Sequence, residues 1–182
     1  MKPLIICIIG ESGSGKTTAA DYIEKEFGIP MVKSYTDRPR RTPDEIGHTF
    51  ITPGEFDVLY LGNDILAFTQ FGDYRYCCLK EDIRPENTYV IDENSYKYLG
   101  EHFSNVYDIW SIRLYRDEKL RRATVGDARM ARDAGKFMWP AAMFDSSITN
   151  TTLTKKEFLM SIKVLVILAK SWNEGSSGKY KL

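Results

Sequence analysis

The chain has 182 residues, of which 43% are hydrophobic and 27% are charged, as is typical of one globular domain with a single core. Its 25 basic residues balance its 25 acidic residues, so the formal net charge is zero. This balance argues against a nucleic-acid binder that works through bulk positive charge. A small polyanionic ligand needs only a local cluster of cations, and such clusters are present.

The apolar segments do not indicate export or membrane insertion. The run at 4–9 is too short for the core of a signal peptide. The longest later run, 164–169, is far shorter than the roughly 20 residues that span a bilayer. The three cysteines, Cys7, Cys77 and Cys78, have neither disulfide nor zinc-site spacing. We therefore expect buried thiols, a cytoplasmic location and no membrane contact.

The first half of the chain predicts a strand, a helix and a small lobe. Leu4–Ile9 is a continuous apolar run, as expected of a strand buried on both faces. A helix is predicted from Gly15 to Phe27, and a short strand over 31–34. Between 38 and 86, short aromatic segments alternate with turns such as Pro53-Gly54, which favours a small antiparallel lobe.

The second half resumes the alternation of strands and helices. Strands are predicted at 88–92, 106–114 and 147–149, and helices at 116–136 and 154–172. This order predicts one three-layer α/β domain with a parallel sheet, whose ligands bind at the carboxyl ends of the strands.

A phosphate-binding loop follows the first strand. The run Gly10-Glu11-Ser12-Gly13-Ser14-Gly15-Lys16-Thr17 matches the Walker A pattern in full. Its glycines let the backbone fold around a phosphate chain with N–H groups pointing inward, and the following helix adds the positive end of its dipole. We expect Lys16 to bridge the β- and γ-phosphates of ATP and the Thr17 hydroxyl to bind Mg²⁺.

Three arginines follow the second predicted strand, in the run Ser34-Tyr35-Thr36-Asp37-Arg38-Pro39-Arg40-Arg41. This segment is either a solvated basic loop or a second anion site, since guanidinium groups match phosphate oxygens bidentately. Two phosphate sites in one cleft would indicate transfer between two phosphorylated molecules. A hydrolase acting on a bound triphosphate has no need of the second site.

These motifs resemble those of the guanylate kinase family. After a Walker A loop, its members carry a Ser-x-Thr-x-Arg-x-x-Arg stretch and an acidic-Gly-x-Tyr-x-Phe segment, which match 34–41 and 45–50 here, and looser matches follow at 70–76 and 144–150. The resemblance implies a P-loop kinase fold over 1–182, with an acceptor-binding lobe at about 34–86 and a short arginine-bearing lid at about 117–136. It also implies ATP- and Mg²⁺-dependent phosphoryl transfer to a nucleoside monophosphate.

The resemblance assigns the acceptor site. Ser34, Arg38 and Arg41 match the ligands of the acceptor phosphate. His48 replaces a tyrosine that touches this phosphate; it keeps a donor and would add charge if protonated near its ordinary pKa of about 6.5. The alternative is a core histidine with no ligand. Either Tyr74 or Tyr76 matches a second phosphate-contacting tyrosine, because a one-residue gap leaves the choice open.

The resemblance also assigns an acid and a set of lid arginines. Asp92 matches the acid that orients magnesium-bound water or the acceptor, and it can also cap a helix. Arginines 121, 122, 129 and 132 fall within the predicted lid. The implied catalytic residues are Lys16, Arg122, Arg129 and Arg132. The implied ATP-binding residues are Gly10, Glu11, Ser12, Gly13, Ser14, Gly15, Lys16, Thr17, Thr18 and Asn150.

The sequence departs from the family where the guanine base would be read. The guanine-reading glutamate aligns with Ala67, and a hydroxyl residue aligns near Cys77. Alanine accepts no hydrogen bond, so GMP or dGMP is only the first expectation for the acceptor. Two alternatives are a P-loop kinase for another phosphorylated acceptor, such as a sugar phosphate, and a non-catalytic guanylate-kinase-like binding module. The complete P-loop argues against the module.

Overall fold

The computed structural model describes residues 2–45, 47–62 and 65–179. Its strands are β1 (Leu4–Ile9), β2 (Ser34–Thr36), β3 (His48–Phe50), β4 (Ile65–Phe71), β5 (Tyr74–Leu79), β6 (Glu86–Ile91), β7 (Asp108–Tyr115) and β8 (Ser146–Thr149). Its α-helices are α1 (Lys16–Phe27), α2 (Pro53–Gly62), α3 (Glu93–Phe103), α4 (Glu118–Val125), α5 (Asp127–Asp133) and α6 (Lys155–Lys179).

The core is a parallel sheet with the strand order β6-β1-β7-β8. Every residue of β1 is buried, and alternate side chains enter opposite layers. Leu4, Ile6 and Ile8 pack with α1 and α6, whereas Ile5 and Cys7 belong to the cluster that includes Leu99 of α3. The prediction of a three-layer α/β fold is confirmed.

The strand register sets the position of the candidate functional site. Ile9, the last residue of β1, is paired with Ile91 of β6 and Arg113 of β7. The three strands therefore end at one edge of the sheet. The segments that follow them, which begin with Gly10, Asp92 and Arg116, converge there, as expected for parallel α/β folds.

The lobe between β1 and β6 differs from the predicted one. Its sheet has the order β3-β2-β5-β4, and the β2–β3 pair is parallel rather than antiparallel. Helix α2 was not predicted, because Pro53-Gly54 was interpreted as a turn. Thr52 and Glu55 instead form a capping box, in which Thr52 N donates to Glu55 Oε2 (2.6 Å) and Glu55 N donates to Thr52 Oγ1 (3.2 Å). Proline is well tolerated at the first position of such a helix.

The predicted helix at 116–136 is two helices. They meet at Gly126, whose φ of 76° cannot continue an α-helix. The last helix begins after Thr154 as predicted but continues beyond Trp172 to Lys179. None of the helices in the described ranges combines the length and apolarity needed to cross a membrane.

Candidate active site

The backbone of the loop after β1 packs closely against its neighbours, as its glycines allow. A Cβ at Gly10 would lie 2.6 Å from the carbonyl oxygen of Leu114, so no larger residue fits there without a shift of the backbone. Gly15 has a φ of 107°, a left-handed conformation that favours glycine. Helix α1 starts at the next residue, so its first N–H groups lie next to the loop.

Lys16 is folded across this loop. Its Nζ donates to the carbonyl oxygens of Gly10 (2.6 Å) and Glu11 (2.9 Å). Burial lowers the pKa of Lys16 to about 8, and the positive charges of Arg129 and Arg132 act in the same direction, while Asp133 opposes the shift. The ammonium group therefore lies in a site where an additional anion would be favourable.

Three of the predicted ATP-binding residues support the loop and do not line the cavity in front of it. The carboxylate of Glu11 pairs with Arg121 at 3.2 Å. Ser14 is fully buried, and Asn150 Nδ2 donates to its carbonyl oxygen at 3.2 Å. These contacts support the loop on the side away from the cavity.

A cavity of about 470 Å³ joins the loop to the lobe. Most of the predicted site residues line it. The loop and α1 contribute Gly10, Ser12, Gly13, Gly15, Lys16, Thr17 and Thr18, the lobe and the end of β6 contribute Ser34, Arg41, His48, Tyr76 and Asp92, and α5 contributes Arg129 and Arg132. The two predicted anion sites thus open into one space.

Arg38 and Arg41 have different roles in the lobe. Arg38 is 6% exposed and does not line the cavity, because Glu45 holds its guanidinium group at 2.8 Å and 3.2 Å. Arg41 lines the cavity and retains a half-exposed side chain, which contacts Glu45 at 3.2 Å, while its backbone N–H donates to Glu45 Oε2 at 2.7 Å. Hydrogen bonding from Arg38 is the main reason that the pKa of Glu45 falls to about 2.

The surroundings of His48 disfavour its charged form. Its Nδ1 is hydrogen-bonded to Ser34 Oγ at 2.8 Å. Burial, together with the nearby Arg38, lowers the pKa of His48 to about 4, so the condition for added charge, protonation near the ordinary pKa, is not met. The imidazole also lines the cavity, which does not favour the alternative of a core histidine remote from any site.

The structure distinguishes the two candidate tyrosines. Tyr76 lines the cavity, and its hydroxyl accepts a hydrogen bond from Arg38 Nε at 2.9 Å. Tyr74 is exposed and does not line the cavity. It is the first residue of β5, next to the hairpin turn and two residues before Tyr76, which is roughly 6–7 Å along a strand.

Asp92 caps helix α3 and lines the cavity. Its Oδ1 accepts hydrogen bonds from Asn94 N (3.0 Å) and Ser95 N (3.1 Å). The residues described over 2–45, 47–62 and 65–179 contain no group of three or more His, Cys, Asp or Glu side chains that could hold a metal ion. The hydroxyl of Thr17 and the carboxylate of Asp92 are hard oxygen donors that line the same cavity. This donor set fits Mg²⁺, which is commonly held by one or two protein oxygens together with substrate phosphates.

Two of the predicted lid arginines, Arg129 and Arg132, line the cavity. Arg132 Nη2 donates to Ser12 Oγ in the loop at 2.8 Å. Arg129 Nε is buried with no hydrogen-bond partner among the described residues, and burial lowers the pKa of Arg129, with Arg41 and Arg132 contributing by repulsion. Helix α5 therefore contacts the loop through Arg132, and its Arg129 lies near Arg41 of the lobe.

Arg122 does not reach the cavity, so its predicted catalytic role is not supported. It is exposed on α4, where it pairs with Glu118 at 2.8 Å and with Asp127. Arg121, one residue earlier, is the inward-facing arginine of this helix, because adjacent helical residues point about 100° apart.

Comparison with solved structures identifies a similar fold. A guanylate kinase from Anaplasma phagocytophilum has a TM-score of 0.67 with 16% sequence identity, over 93% of this chain and 86% of that one. The chain has a guanylate kinase-like fold. A sugar kinase from Janibacter sp. is also similar, with a TM-score of 0.38 and 16% identity over 94% of this chain and 95% of that one. No protein-family model matches the chain, and a sequence search of curated proteins gave no match.

In this guanylate kinase-like fold, the two positions that align with the base-reading residues of the family do not face the cavity. Ala67 and Cys77 are both buried and do not line the cavity. Thr69 and Phe71 of β4 and Ser95 of α3 line it instead. Thr69 is two residues beyond Ala67 on the same face of β4, so alternation along the strand identifies it once the edge of the cavity is known.

Two further arginines lie at the phosphate-loop side of the guanylate kinase-like fold, and sequence reasoning missed both. Arg116 lines the cavity and donates from Nη1 to the Gly13 carbonyl oxygen at 3.0 Å. Arg113 is 1% exposed, within 4 Å of Glu11 (3.6 Å) and Glu93 (3.8 Å). The position of Arg116, directly after β7, was the available signal, since ligands bind at the carboxyl ends of parallel strands.

Proposed function

We propose that this protein is an ATP-dependent nucleoside monophosphate kinase of the guanylate kinase type. The observation that carries the proposal is the shared cavity. Lys16 and the phosphate loop line one part of it, Arg41 and Tyr76 line another, and Arg129 and Arg132 of α5 border the same space. An ATP γ-phosphoryl group and an acceptor phosphate can both be bound by cations there.

The proposed reaction is a direct in-line transfer. An oxygen of the acceptor phosphate bonds to the γ-phosphorus of ATP as the bond to the β,γ-bridging oxygen breaks and ADP leaves. This oxygen is already a competent nucleophile, so no general base is required. Rate enhancement then comes from positioning and from stabilising charge on the transferred group. Lys16 and the N–H groups of the loop would hold the ATP phosphates. Mg²⁺, when bound by the nucleotide and Thr17, supplies further neutralisation of the phosphate oxygens.

Arg129 and Arg132 are proposed to act on the transferred phosphoryl group. The buried Nε of Arg129 has no hydrogen-bond partner among the described residues, and its charge is opposed by those of Arg41 and Arg132. A phosphate anion between these groups would relieve this repulsion. The binding of both substrates would therefore complete the electrostatic arrangement that the protein leaves unbalanced.

The acceptor phosphate is proposed to bind Arg41, Ser34 and Tyr76. Arg38 would orient the Tyr76 hydroxyl through its 2.9 Å hydrogen bond rather than act as the main phosphate ligand. His48 would contribute as a neutral hydrogen-bonding group beside Ser34. GMP and dGMP remain the first expectation for the acceptor. The Thr69 hydroxyl would meet its base, in place of the carboxylate absent at Ala67, whereas the Ser95 hydroxyl already donates to Asp92 Oδ2 at 2.9 Å.

The proposed site of action is the cytoplasm. Cys7, Cys77 and Cys78 are all free, buried thiols, which supports a reducing compartment.

The test is a panel of ribo- and deoxyribonucleoside monophosphates with ATP and Mg²⁺, in which the formation of ADP and of the nucleoside diphosphate are both measured. Sugar phosphates form a second panel. Equimolar ADP and nucleoside diphosphate with at least one acceptor would support the proposal, and Lys16→Met should abolish this turnover without unfolding the protein. ADP release only with sugar phosphates would favour the other class of kinase. ATP binding without any transfer would favour a binding module.

A further inference from the structure

A carboxylate of the lid occupies a hydrogen-bonding position of the phosphate loop. Asp133, the last residue of α5, accepts a hydrogen bond at Oδ2 from the backbone N–H of Ser12 at 2.6 Å. Its Oδ1 accepts from Nη2 (2.9 Å) and Nε (3.0 Å) of Arg132. The side chain of Asp133 is only 4% exposed. A buried, fully hydrogen-bonded anion therefore lies on the loop.

The groups that hold this carboxylate are groups assigned above to the nucleotide. The N–H of Ser12 belongs to the loop that would surround the phosphates, and Arg132 would meet the transferred group. Burial by itself would raise the pKa of Asp133, but hydrogen bonds from Ser12 and Arg132 outweigh it, so the pKa is lowered and the side chain is ionised near neutral pH. Asp133 also acts on Lys16 as the attractive charge that opposes its desolvation.

We propose that Asp133 is an internal competitor of the nucleotide phosphates. Its carboxylate fastens α5 to the loop through Ser12 and Arg132 until the phosphates of ATP displace it from the Ser12 N–H. Arg132 then exchanges the Asp133 carboxylate for the transferred phosphoryl group. This inference rests on the proposed function, because it takes ATP to be the ligand of the loop.

The test compares ATP affinity in Asp133→Asn and in a matched lid variant, Asp127→Asn. The first variant removes the charge with little change in shape. The second removes a carboxylate that is 79% exposed and pairs with Arg122 away from the cavity. With Mg²⁺ and no acceptor, isothermal titration calorimetry should give about tenfold tighter binding of ATP to Asp133→Asn, because a charge-assisted hydrogen bond no longer competes. Asp127→Asn should bind ATP as the wild type does.

A second probe separates competition for the phosphate site from a change elsewhere in the lid. Inorganic tripolyphosphate has the phosphates of ATP but no nucleoside, so Asp133→Asn should gain affinity for it as well. If Asp133→Asn melts well below the wild type, Asp133→Glu provides the second comparison. It keeps the charge but adds a methylene group, so it should not reproduce the gain in affinity.

The outcomes are distinguishable. If the wild type binds ATP and Asp133→Asn binds ATP and tripolyphosphate no more tightly, the competitor role is overturned and the kinase proposal stands. An equal gain in Asp133→Glu would also overturn it. If neither the wild type nor any variant binds ATP, the proposed function and this inference fail together.

Discussion

Arg38 and Glu45 form a two-point ion pair, with Nη2–Oε1 at 2.8 Å and Nη1–Oε2 at 3.2 Å. Arg38, the first of the two arginines that match the family motif, is therefore committed to shaping the lobe. Arg41, which shares the same carboxylate, is the arginine that lines the cavity. Replacing Arg38 and replacing Arg41 should therefore impair different properties of the protein, stability in the first case and acceptor binding in the second.

Replacement of Arg38 by alanine should chiefly reduce stability and only secondarily weaken acceptor binding. It leaves the carboxylate of Glu45 with half of its partners and frees the Tyr76 hydroxyl. Removing one partner of a largely buried pair costs about 3 kcal/mol, which chemical denaturation would measure. The double variant Arg38→Ala/Glu45→Gln should lose less than the sum of the two single variants. Strict additivity would show that the pair is not coupled.

Replacement of Arg41 by alanine should raise the acceptor KM about 10- to 100-fold, the loss expected for a charged hydrogen bond to phosphate. The melting temperature should change little, since the side chain is half-exposed. Arg40→Ala is the matched control, because Arg40 bonds the Glu45 backbone and stacks on Phe50 at 4.2 Å without lining the cavity. Steady-state kinetics with a fixed, saturating ATP concentration measures the acceptor KM of both variants. Equal KM values for the two variants would contradict the assignment.

Arg132→Ala and Arg122→Ala test the lid. Arg132 reaches the loop through Ser12, whereas Arg122 pairs with Glu118 on the surface of α4. If Arg132 stabilises the transition state, kcat should fall on the order of 10³ in Arg132→Ala. Arg122→Ala should stay within about twofold of the wild type, since exposed pairs contribute little. A large loss of kcat in Arg122→Ala would restore the sequence-based prediction.

His48 should make stability sensitive to mild acid. Its pKa is about 6.5 in the unfolded chain and about 4 in the folded protein, so between these values the unfolded state binds more protons. The free energy of unfolding should therefore fall as the pH drops from about 6.5 toward 4. His48→Gln should lose less stability over this range, measured by denaturant unfolding at several pH values. His102→Gln, a change at an exposed position of α3, is the control and should follow the wild type.

Lys16 should take up a proton when ATP binds at alkaline pH. The pKa of its ammonium group is lowered to about 8, and a polyphosphate anion beside it would raise that pKa again. Calorimetric titrations in buffers of different ionisation enthalpy should give close to one proton taken up at pH 9 and almost none at pH 7. In Lys16→Arg the uptake should vanish, since arginine stays protonated. An uptake in Lys16→Arg equal to that of the wild type would assign the proton to another group.

The parts of the molecule that local sequence determines were predictable. The apolar run Leu4–Ile9 and the glycine-rich loop after it are each specified by their local sequence, and the capping residue Asp92 lies directly after a strand. Helix α2 was missed because Pro53-Gly54 is equally compatible with a turn and with the first residues of a capped helix. Only the Glu55 carboxylate, bonded back to Thr52, distinguishes the two.

The remaining features depend on contacts between distant segments. Arg121 and Arg122 are neighbours in sequence, and which one faces inward depends on the phase of α4 relative to the loop. Arg132 and Asp133 reach Ser12 over 120 and 121 positions. Such pairings follow from the packing of the lobe and lid on the core sheet, which spacing along the chain does not encode.

The central claim is that one cavity holds two phosphate sites aligned for transfer, and a bisubstrate compound tests it most directly. Such a compound joins adenosine and the nucleoside of the best acceptor through five phosphates, so that it spans both sites. We expect it to bind about 10²-fold or more tightly than ATP, because linking two ligands makes the second binding event intramolecular, and to inhibit competitively against both substrates. Binding no tighter than that of ATP, with competition against ATP alone, would contradict the account.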